Sequence, residues 1–332
     1  MKTGHNQAAA ETDLMPLISC VIVSYNHART IARSIESLFN TRYPGLSIVV
    51  IDNASTDGTL DVLRQFPGIR VLKNSVNTGF CAGMNRGISL SGDRHILALN
   101  PDAYLDPRAL DTLAGTLAET KFGIITPKIL RDETEIDCAG IERVWMGFFR
   151  NRGEGLKDHG QFDREEVVFG ASAACALFRR QMLEAVRVNG QYFDEDFFAY
   201  KDDVDLSWRS NKAGFAVYYQ PRAVAYHDRR IRSRPRSCDE RIFERVAGNL
   251  RYILVHKKDA YFRNIRAISF RNDFFLWAKH FSWRENPADL IAFFSKLFIM
   301  LLAYLIAEPY VFRQTAGILR MMPRMIAKRK ER

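Results

Sequence analysis

The first part of the chain alternates short apolar runs with segments whose apolar residues recur at helical spacing. Apolar runs of strand length occupy residues 17–23, 46–51, 69–72 and 95–99. Between the first two, Ile31, Ile35 and Leu38 recur every three to four residues, which predicts a helix. Strands that alternate with helices favour a mainly parallel, doubly wound sheet with ligands at the carboxyl ends of the strands. We therefore predict an α/β fold.

Regular patterning continues to about residue 219 with one interruption. Further segments of helix or strand are predicted at residues 110–126, 173–178, 180–186 and 215–219. The polar, glycine-bearing segment 127–168 is interpreted as an insertion beside the substrate site. We divide the chain into a leader at 1–16, a main domain at 17–228 and a basic helical C-terminal region at 229–332.

Composition limits the possible classes of protein. A chain of 332 residues with 47% hydrophobic content can bury a full core, which excludes a disordered protein. The net charge of +10 is uneven, because residues 229–332 hold 23 Lys and Arg against 9 Asp and Glu, a net +14. A solvated surface, a nucleic acid and an anionic membrane are the alternatives for this basic region.

Targeting and redox signals are few. The five cysteines form no C-x-x-C pair and are interpreted as reduced thiols of a cytosolic protein. The first 16 residues have no apolar segment of signal-peptide length, so we expect a disordered leader and no export of the catalytic part. The apolar stretch 290–307 is 18 residues long, and an interfacial helix, a buried helix and a membrane span all remain open.

An acidic cluster follows the aromatic residues Phe197 and Phe198. Asp202, Asp203 and Asp205 lie within four residues at the predicted start of a helix, where the helix dipole favours ionised carboxylates. One of them could act as a general base. The alternative is a solvated, acid-rich first helical turn.

Polar residues also follow the first two predicted strands. Asp52 ends the second strand, where a carboxylate can accept hydrogen bonds from an imide N–H or from sugar hydroxyls. After the first strand, Ser24 and Asn26 stand where a dinucleotide-binding fold has G-x-G-x-x-G, so an NAD site has little support. Beyond the third strand, Gly79 and Gly83 permit either close approach to a phosphate, with Arg86 nearby, or tight helix–sheet packing.

A metal site is predicted beyond the fourth strand. Asp102 follows that strand in Asn100-Pro101-Asp102 and could place an oxygen on Mg²⁺ or Mn²⁺ bridging a diphosphate. His227 could complete the site, since imidazole suits Mn²⁺ better than Mg²⁺. A structural role for His227 is the alternative.

Taken together, these segments resemble the family 2 glycosyltransferases, which have the GT-A fold, over about residues 17–230. The resemblance is closest to a rhamnosyltransferase-like branch, through the Asn-Pro-Asp motif and the aromatic run before the acids. The segments that carry it are residues 21–26, 50–59, 77–80, 99–102 and 197–209.

The resemblance implies roles for individual residues. Asp52 would hold the base of a nucleoside diphosphate sugar, and Asp102 would hold the metal. Asp203 would be the catalytic base, beside Asp202. The other residues assigned to substrate binding are Ser24, Asn26, Asn53, Asn77, Gly79, Phe80, Gly83, Asn85, Arg86, Asn100 and Trp208.

The chain departs from the family pattern at two positions. Asn100 replaces the first Asp of the common Asp-x-Asp motif, which removes one negative ligand. Asp202 replaces the more usual Glu, so which acid faces the acceptor is left open.

These features lead to one functional hypothesis. We expect an inverting, metal-dependent glycosyltransferase that moves L-rhamnose from dTDP-L-rhamnose to a lipid-linked saccharide in bacterial envelope polysaccharide synthesis. It would lie peripherally on the cytoplasmic face of the inner membrane, attached to an anionic surface, with the C-terminal helices as a possible homo-oligomer contact. No nucleic-acid partner is expected, because no nucleic-acid motif is present. The alternative is a catalytically weak nucleotide-sugar-binding or membrane-scaffolding protein.

Overall fold

The computed structural model describes residues 15–92, 94–144, 148–229, 251–256, 258–281 and 307–329, with isolated positions at 294, 298, 304 and 305. Most of the expected leader and most of the apolar stretch 290–307 therefore lie outside the described residues. Within the described parts, no helix is long and apolar enough to cross a membrane.

A central sheet organises the described part of the chain. The strands are β1 Ile18–Ser24, β2 Leu46–Asp52, β3 Arg70–Lys73, β4 His95–Leu99, β5 Ala103–Leu105, β6 Ile124–Leu130, β7 Ile136–Cys138, β8 Ile141–Val144, β9 Phe148–Asn151, β10 Glu166–Val168, β11 Cys175–Phe178 and β12 Val217–His227. The main sheet runs in the order β10-β12-β6-β11-β4-β1-β2-β3, with β5 on β12 and β7 on β6. β1 pairs in parallel with β2 and β4, whereas β11 is antiparallel to both of its neighbours. The predicted mainly parallel α/β architecture is confirmed.

Helices cover the sheet and continue into the C-terminal region. They are α1 Ile31–Asn40, α2 Thr59–Leu63, α3 Gly79–Ser89, α4 Ala109–Glu119, α5 Arg180–Ala185, α6 Asp202–Lys212, α7 Ala260–His280 and α8 Thr315–Ala327. Two 3₁₀ helices span Glu195–Phe197 and Pro309–Gln314.

The sheet is apolar on both faces, which explains the continuous apolar runs. Every residue of β1 is buried, and its side chains join two core clusters on opposite faces. Helix α3 packs directly on β1 through glycine: a Cβ at Gly83 would lie 2.6 Å from Cγ1 of Val23. Gly87 meets Val21 in the same way, so this helix approaches the strand too closely for any larger residue at either position.

Two segments differ from the sequence-based expectation in detail. The predicted insertion 127–168 contains four short strands, β7 to β10, of which β7 and β10 join the main sheet. β12 was expected to end at Tyr219, which is wrong, because the strand continues to His227 after a register shift between Gln220 and Val224. Pro221 lies within that irregularity, where a missing N–H donor is tolerated.

The C-terminal helices share the core of the main domain. Phe275 of α7 and Met325 of α8 belong to the same apolar cluster as Val21 of β1. Lys279 is fully buried, with Nζ 2.7 Å from Oδ2 of Asp194 and 2.7 Å from Oδ1 of Asp205. Part of the positive charge of this region therefore forms buried ion pairs with acids of the main domain.

Removal of the Lys279 ammonium should be strongly destabilising. Lys279→Ala leaves Asp194 and Asp205 buried with one cation fewer, so we expect a loss of about 3 kcal/mol in the free energy of unfolding, measured by urea denaturation. Arg64→Ala removes an exposed ion pair with Asp61 and serves as the control, with a change of at most about 1 kcal/mol. Equal, small changes in both variants would contradict a stabilising role for the buried cluster.

Candidate active site

The ends of β1 and β2 place two unsatisfied oxygens side by side. Ser24 and Asp52 are register partners in the parallel pair. Asp52 accepts a hydrogen bond at Oδ2 from the backbone N–H of Ser55, at 3.1 Å. Its Oδ1 and the Ser24 hydroxyl are buried and meet no hydrogen-bond partner within the part of the chain that the structure describes. Such atoms are rare in native proteins, and here they suit a ligand that brings an N–H or O–H donor.

Three predicted asparagines hold the surrounding loops. Asn26, at a φ of 60°, accepts at Oδ1 from the backbone N–H of Thr56 at 2.8 Å. Asn53 donates from Nδ2 to the carbonyl of Gly79 at 3.0 Å, and Asn77 accepts from the N–H of the same glycine at 2.9 Å. The amide groups of these residues therefore shape the backbone around the two oxygens.

The predicted glycine-containing loop is helix α3, and its contacts favour the packing alternative. The Oδ1 of Asn85 accepts hydrogen bonds from the backbone N–H groups of Tyr192 and Phe193, at 3.1 and 2.8 Å. Phe80 packs edge-on against Phe193, and Arg86 donates to the carbonyl of Lys73 at 3.3 Å. Gly83 packs against Val23 of β1, so its lack of a side chain serves the contact between helix and sheet.

Asn100, Asp102 and His227 come together at the carboxyl end of β4. The His227 Nε2 lies 3.2 Å from Oδ1 of Asp102 and 3.3 Å from Nδ2 of Asn100. Strand β12 brings the histidine there by pairing His227 with Ala103 of β5. A carboxylate oxygen and an imidazole nitrogen are both ligands of divalent metals, so Asp102 and His227 would supply two of the ligands that an ion needs. Binding through Nε2 would displace the proton that the imidazole shares with Asp102.

A buried carboxylate behind His227 is the part of the site that the sequence analysis missed. Asp137 of β7 lies with Oδ2 3.1 Å from Nδ1 of His227 and with Oδ1 2.8 Å from Nε of Arg229. Burial would raise the pKa of Asp137, but Arg229, His227 and Arg131 together lower it. Burial would likewise lower the pKa of His227, but its hydrogen bonds with Asp102 and Asp137 raise the pKa to about 9.

This arrangement is the one that orients metal-binding imidazoles in proteins, where a carboxylate accepts from the second ring nitrogen. A possible sequence signal for Asp137 was its place between two apolar residues, Ile136 and Cys138. Within the described residues, no cluster of three or more His, Cys, Asp or Glu side chains could hold an ion. A bound metal would need further ligands besides Asp102 and His227.

The three acids at the start of α6 have different environments. Asp205 is fully buried, with Oδ2 2.9 Å from Nε of Arg209, and despite its burial Lys279 and Arg209 hold its pKa well below the usual range. Burial, followed by the charge of Asp203, raises the pKa of Asp202 well above the usual range. Burial also raises the pKa of the half-buried Asp203. Only the latter two have the raised pKa that suits a general base near neutral pH.

Trp208 lies in an aromatic cluster. The residue is buried, and its ring stacks on His280 of α7 at a centroid distance of 4.5 Å. Phe169 and Phe281 pack against it edge-on. The side chain of this predicted substrate-binding residue of α6 therefore lies in the contact between α6 and the C-terminal region.

Comparison with known proteins identifies the family. The model of glycosyl transferase family 2 matches residues 19–187, which is just over half of the chain. The chain belongs to this family. It is a glycosyltransferase, as the sequence resemblance indicated, and the acid-rich helix α6 lies beyond the matched segment.

This glycosyltransferase is similar to two informative curated relatives and to one informative solved structure of another protein. N-acetylglucosaminyl-diphospho-decaprenol L-rhamnosyltransferase of Mycobacterium tuberculosis is 28% identical over 242 residues, covering 65% of this chain and 76% of the relative. Poly-beta-1,6-N-acetyl-D-glucosamine synthase of Staphylococcus epidermidis is 24% identical over 219 residues, covering 63% of this chain and 49% of the synthase. The crystal structure of GalNAc-T7 with UDP, GalNAc and Mn²⁺ superposes with a TM-score of 0.53 at 14% identity, covering 67% of this chain and 45% of that one, and this likeness concerns the fold alone.

Proposed function

We propose that this glycosyltransferase moves L-rhamnose from dTDP-L-rhamnose to a lipid-linked saccharide during assembly of a bacterial envelope polysaccharide. The similarity to the mycobacterial L-rhamnosyltransferase, which extends over 76% of that relative, carries the choice of donor sugar and acceptor class. The geometry at the ends of β1, β2 and β4 supports a nucleoside diphosphate donor.

Recognition of the base is assigned to Asp52. Thymine carries an imide N–H, and Oδ1 of Asp52, which has no hydrogen-bond partner among the described residues, is an acceptor for such a donor. The neighbouring Ser24 hydroxyl adds a second hydrogen-bonding group. Asn26, Asn53 and Asn77 act by fixing the loops around these two groups.

A divalent metal, Mg²⁺ or Mn²⁺, is assigned to Asp102 and His227, with Asp137 orienting the imidazole. A metal bound there would supply positive charge to neutralise the diphosphate of the leaving nucleotide. The Mn²⁺ in the GalNAc-T7 structure supports the assignment. Asn100 lies beside His227 as a neutral neighbour.

The acceptor hydroxyl is assigned to Asp203 as its general base. The carboxylate takes the hydroxyl proton while the oxygen forms a bond to the anomeric carbon and the bond to the diphosphate breaks. Burial raises the pKa of Asp203, and Arg229, which is hydrogen-bonded to Asp137, offsets part of that rise, so Asp203 lies within electrostatic reach of the group formed by Asp102, His227 and Asp137. A single displacement of this kind inverts the anomeric configuration.

The C-terminal region is assigned to the membrane surface at which a lipid-linked acceptor is reached. Its net charge of +14 favours an anionic leaflet. Phe294, Phe298 and Leu305 are 56%, 65% and 60% exposed, and apolar side chains of this kind support interfacial binding. We place the enzyme peripherally on the cytoplasmic face of the inner membrane.

Transfer by the full chain tests this function. With Mn²⁺, dTDP-L-rhamnose and an N-acetylglucosaminyl-diphosphoryl-polyprenol in anionic vesicles, we expect a rhamnosylated lipid of inverted configuration. UDP- and GDP-hexoses should react at least about tenfold more slowly. Guanine presents a different set of donors to Asp52, whereas uracil has the same imide N–H as thymine, so rejection of a UDP-hexose would come from the contacts with the sugar. Equal use of a UDP-hexose would overturn the donor assignment. Equal rates in neutral vesicles at low and high salt would overturn the membrane assignment.

Asp203→Asn should lower kcat at least about a hundredfold while binding of dTDP stays nearly unchanged, because a general base contributes roughly 10² to 10⁴. A general base acts only in its deprotonated form, and the pKa of Asp203 is raised. As the pH is lowered, kcat/KM should therefore begin to fall at a pH higher than the ordinary Asp pKa of about 4. Asp202→Asn is the matched control. A larger loss in Asp202→Asn would transfer the role of base to Asp202.

Asp102→Ala and His227→Ala should both weaken Mn²⁺-dependent binding of dTDP, measured by calorimetry with and without the metal. Asp137→Asn should weaken it by about ten- to a hundredfold, because a carboxylate behind a metal-binding imidazole raises its basicity and fixes its orientation. Asp158→Asn, which changes an ion pair with Lys128, is the control. Normal Mn²⁺-dependent binding in His227→Ala would make His227 structural.

A further inference from the structure

The backbone that leads into α6 is held in an unfavourable conformation. Phe198, Tyr200 and Lys201 have φ values of 66°, 68° and 66°. This left-handed region is costly for residues with a side chain, and a bulky aromatic residue is rarely found there. Three of the four residues 198–201, directly before Asp202, therefore have a positive φ.

Strained backbone of this kind persists only when the surrounding structure determines it. On one side, helix α3 contacts the segment: the N–H of Cys81 donates to the carbonyl of Phe198 at 3.1 Å. Gly79 lies so close that a Cβ there would come 2.5 Å from the Phe198 ring. The segment therefore has no room to move towards α3.

On the other side, one amide group of α7 binds three backbone carbonyls of this segment. The side chain of Asn272 is fully buried. Its Nδ2 lies 2.9, 2.8 and 2.7 Å from the carbonyl oxygens of Phe197, Ala199 and Tyr200. The neighbouring Arg271 donates to the carbonyl of Phe197 at 2.9 Å.

The same helix is fixed to α6 by charge. Lys279 of α7 lies 2.7 Å from Asp205, and Lys201 lies 3.7 Å from Asp273. Ion pairs at Asp273 and at Lys279 thus fix the position of α7 relative to the start of α6. Its amide at residue 272 can therefore define where the intervening backbone runs.

We propose that Asn272 is a positioning residue for catalysis: its amide holds residues 197–200 in their strained path and so sets the position of the Asp203 carboxylate. The inference rests on the proposed role of Asp203 as general base. It assigns a function in the reaction to the C-terminal region, outside the segment that matches the family.

The contacts are suited to this role because they are made to backbone carbonyls. A side chain that only fills the core would contact other side chains. The two N–H groups of the Asn272 amide instead lie within hydrogen-bond distance of three backbone carbonyls, so one N–H is shared, and they fix the direction of the chain itself. A displacement of about 1 Å at a reacting group lowers a rate about a hundredfold. A small relaxation of residues 197–201 is therefore sufficient to affect turnover.

Two variants of Asn272 test the proposal in the full-length enzyme. Asn272→Asp keeps the size of the side chain and removes the N–H donors, and Asn272→Ala removes the whole amide. For both, we expect kcat to fall at least about tenfold, with the KM for dTDP-L-rhamnose and the affinity for dTDP within about twofold of the native values. The acid limb of the kcat/KM profile should shift, because the environment of Asp203 changes.

Phe270→Leu is the matched control. Phe270 is buried on the same helix and packs against Tyr304 and Phe312, in a cluster separate from residues 197–201. This variant should lower the melting temperature and leave kcat and its pH dependence unchanged below the melting transition. A fall in kcat equal to that of Asn272→Asp would show that any loosening of α7 is sufficient and would overturn the proposal.

Hydrogen exchange supplies a readout that does not depend on which acid is the base. Amides in residues 196–206 should exchange faster in both Asn272 variants and at the native rate in Phe270→Leu. Unchanged exchange, or faster exchange with unchanged kcat, would overturn the positioning role. Asp203→Asn is assayed in parallel, because full activity there would overturn the base assignment while the exchange result still reports on Asn272.

Discussion

The buried carboxylate of Asp205 is the constraint on which the arrangement of this enzyme depends. A fully buried charge is tolerated only with close partners, and Asp205 has Arg209 on its own helix and Lys279 and His280 on α7. These contacts oblige the C-terminal helix to lie against the acid-rich helix α6. The stacking of Trp208 on His280 and the contacts of Asn272 with the preceding backbone follow from the same placement.

The fold could be predicted well where local pattern and burial agree. The strands β1, β2 and β4 are buried on both faces, and their apolar runs are visible without any tertiary information. The end of β12 could not be predicted, because a proline normally argues against a strand and only the neighbouring strands show that a bulge accommodates it. The integration of α7 was also missed, since its decisive contacts are ion pairs with residues about 75 positions earlier.

The candidate site shows the same division between local chemistry and distant partners. Asp102 and His227 were paired from their positions at strand ends, and the structure places them in contact. Asp137 could not be assigned, because its importance depends on His227 and Arg229, which are about 90 positions away. Asn53 and Asn85 were assigned to substrate binding from the resemblance, and the structure shows their amides bonded to backbone groups. An amide suits a ligand and a backbone equally well, so sequence alone does not separate the two uses.

The pairing of Asp205 with Lys279 has a consequence for biosynthesis. Chains are made from the N-terminus, and folding of early segments precedes completion of later ones. Strands β1 to β4 are made long before residue 279 leaves the ribosome. The segment that carries Asp203 reaches its final form only when α7 arrives. A nascent chain can therefore order the end of the sheet beside Asp52 before it orders the start of α6, so synthesis of α7 sets the moment at which the two parts of the candidate site are both in place.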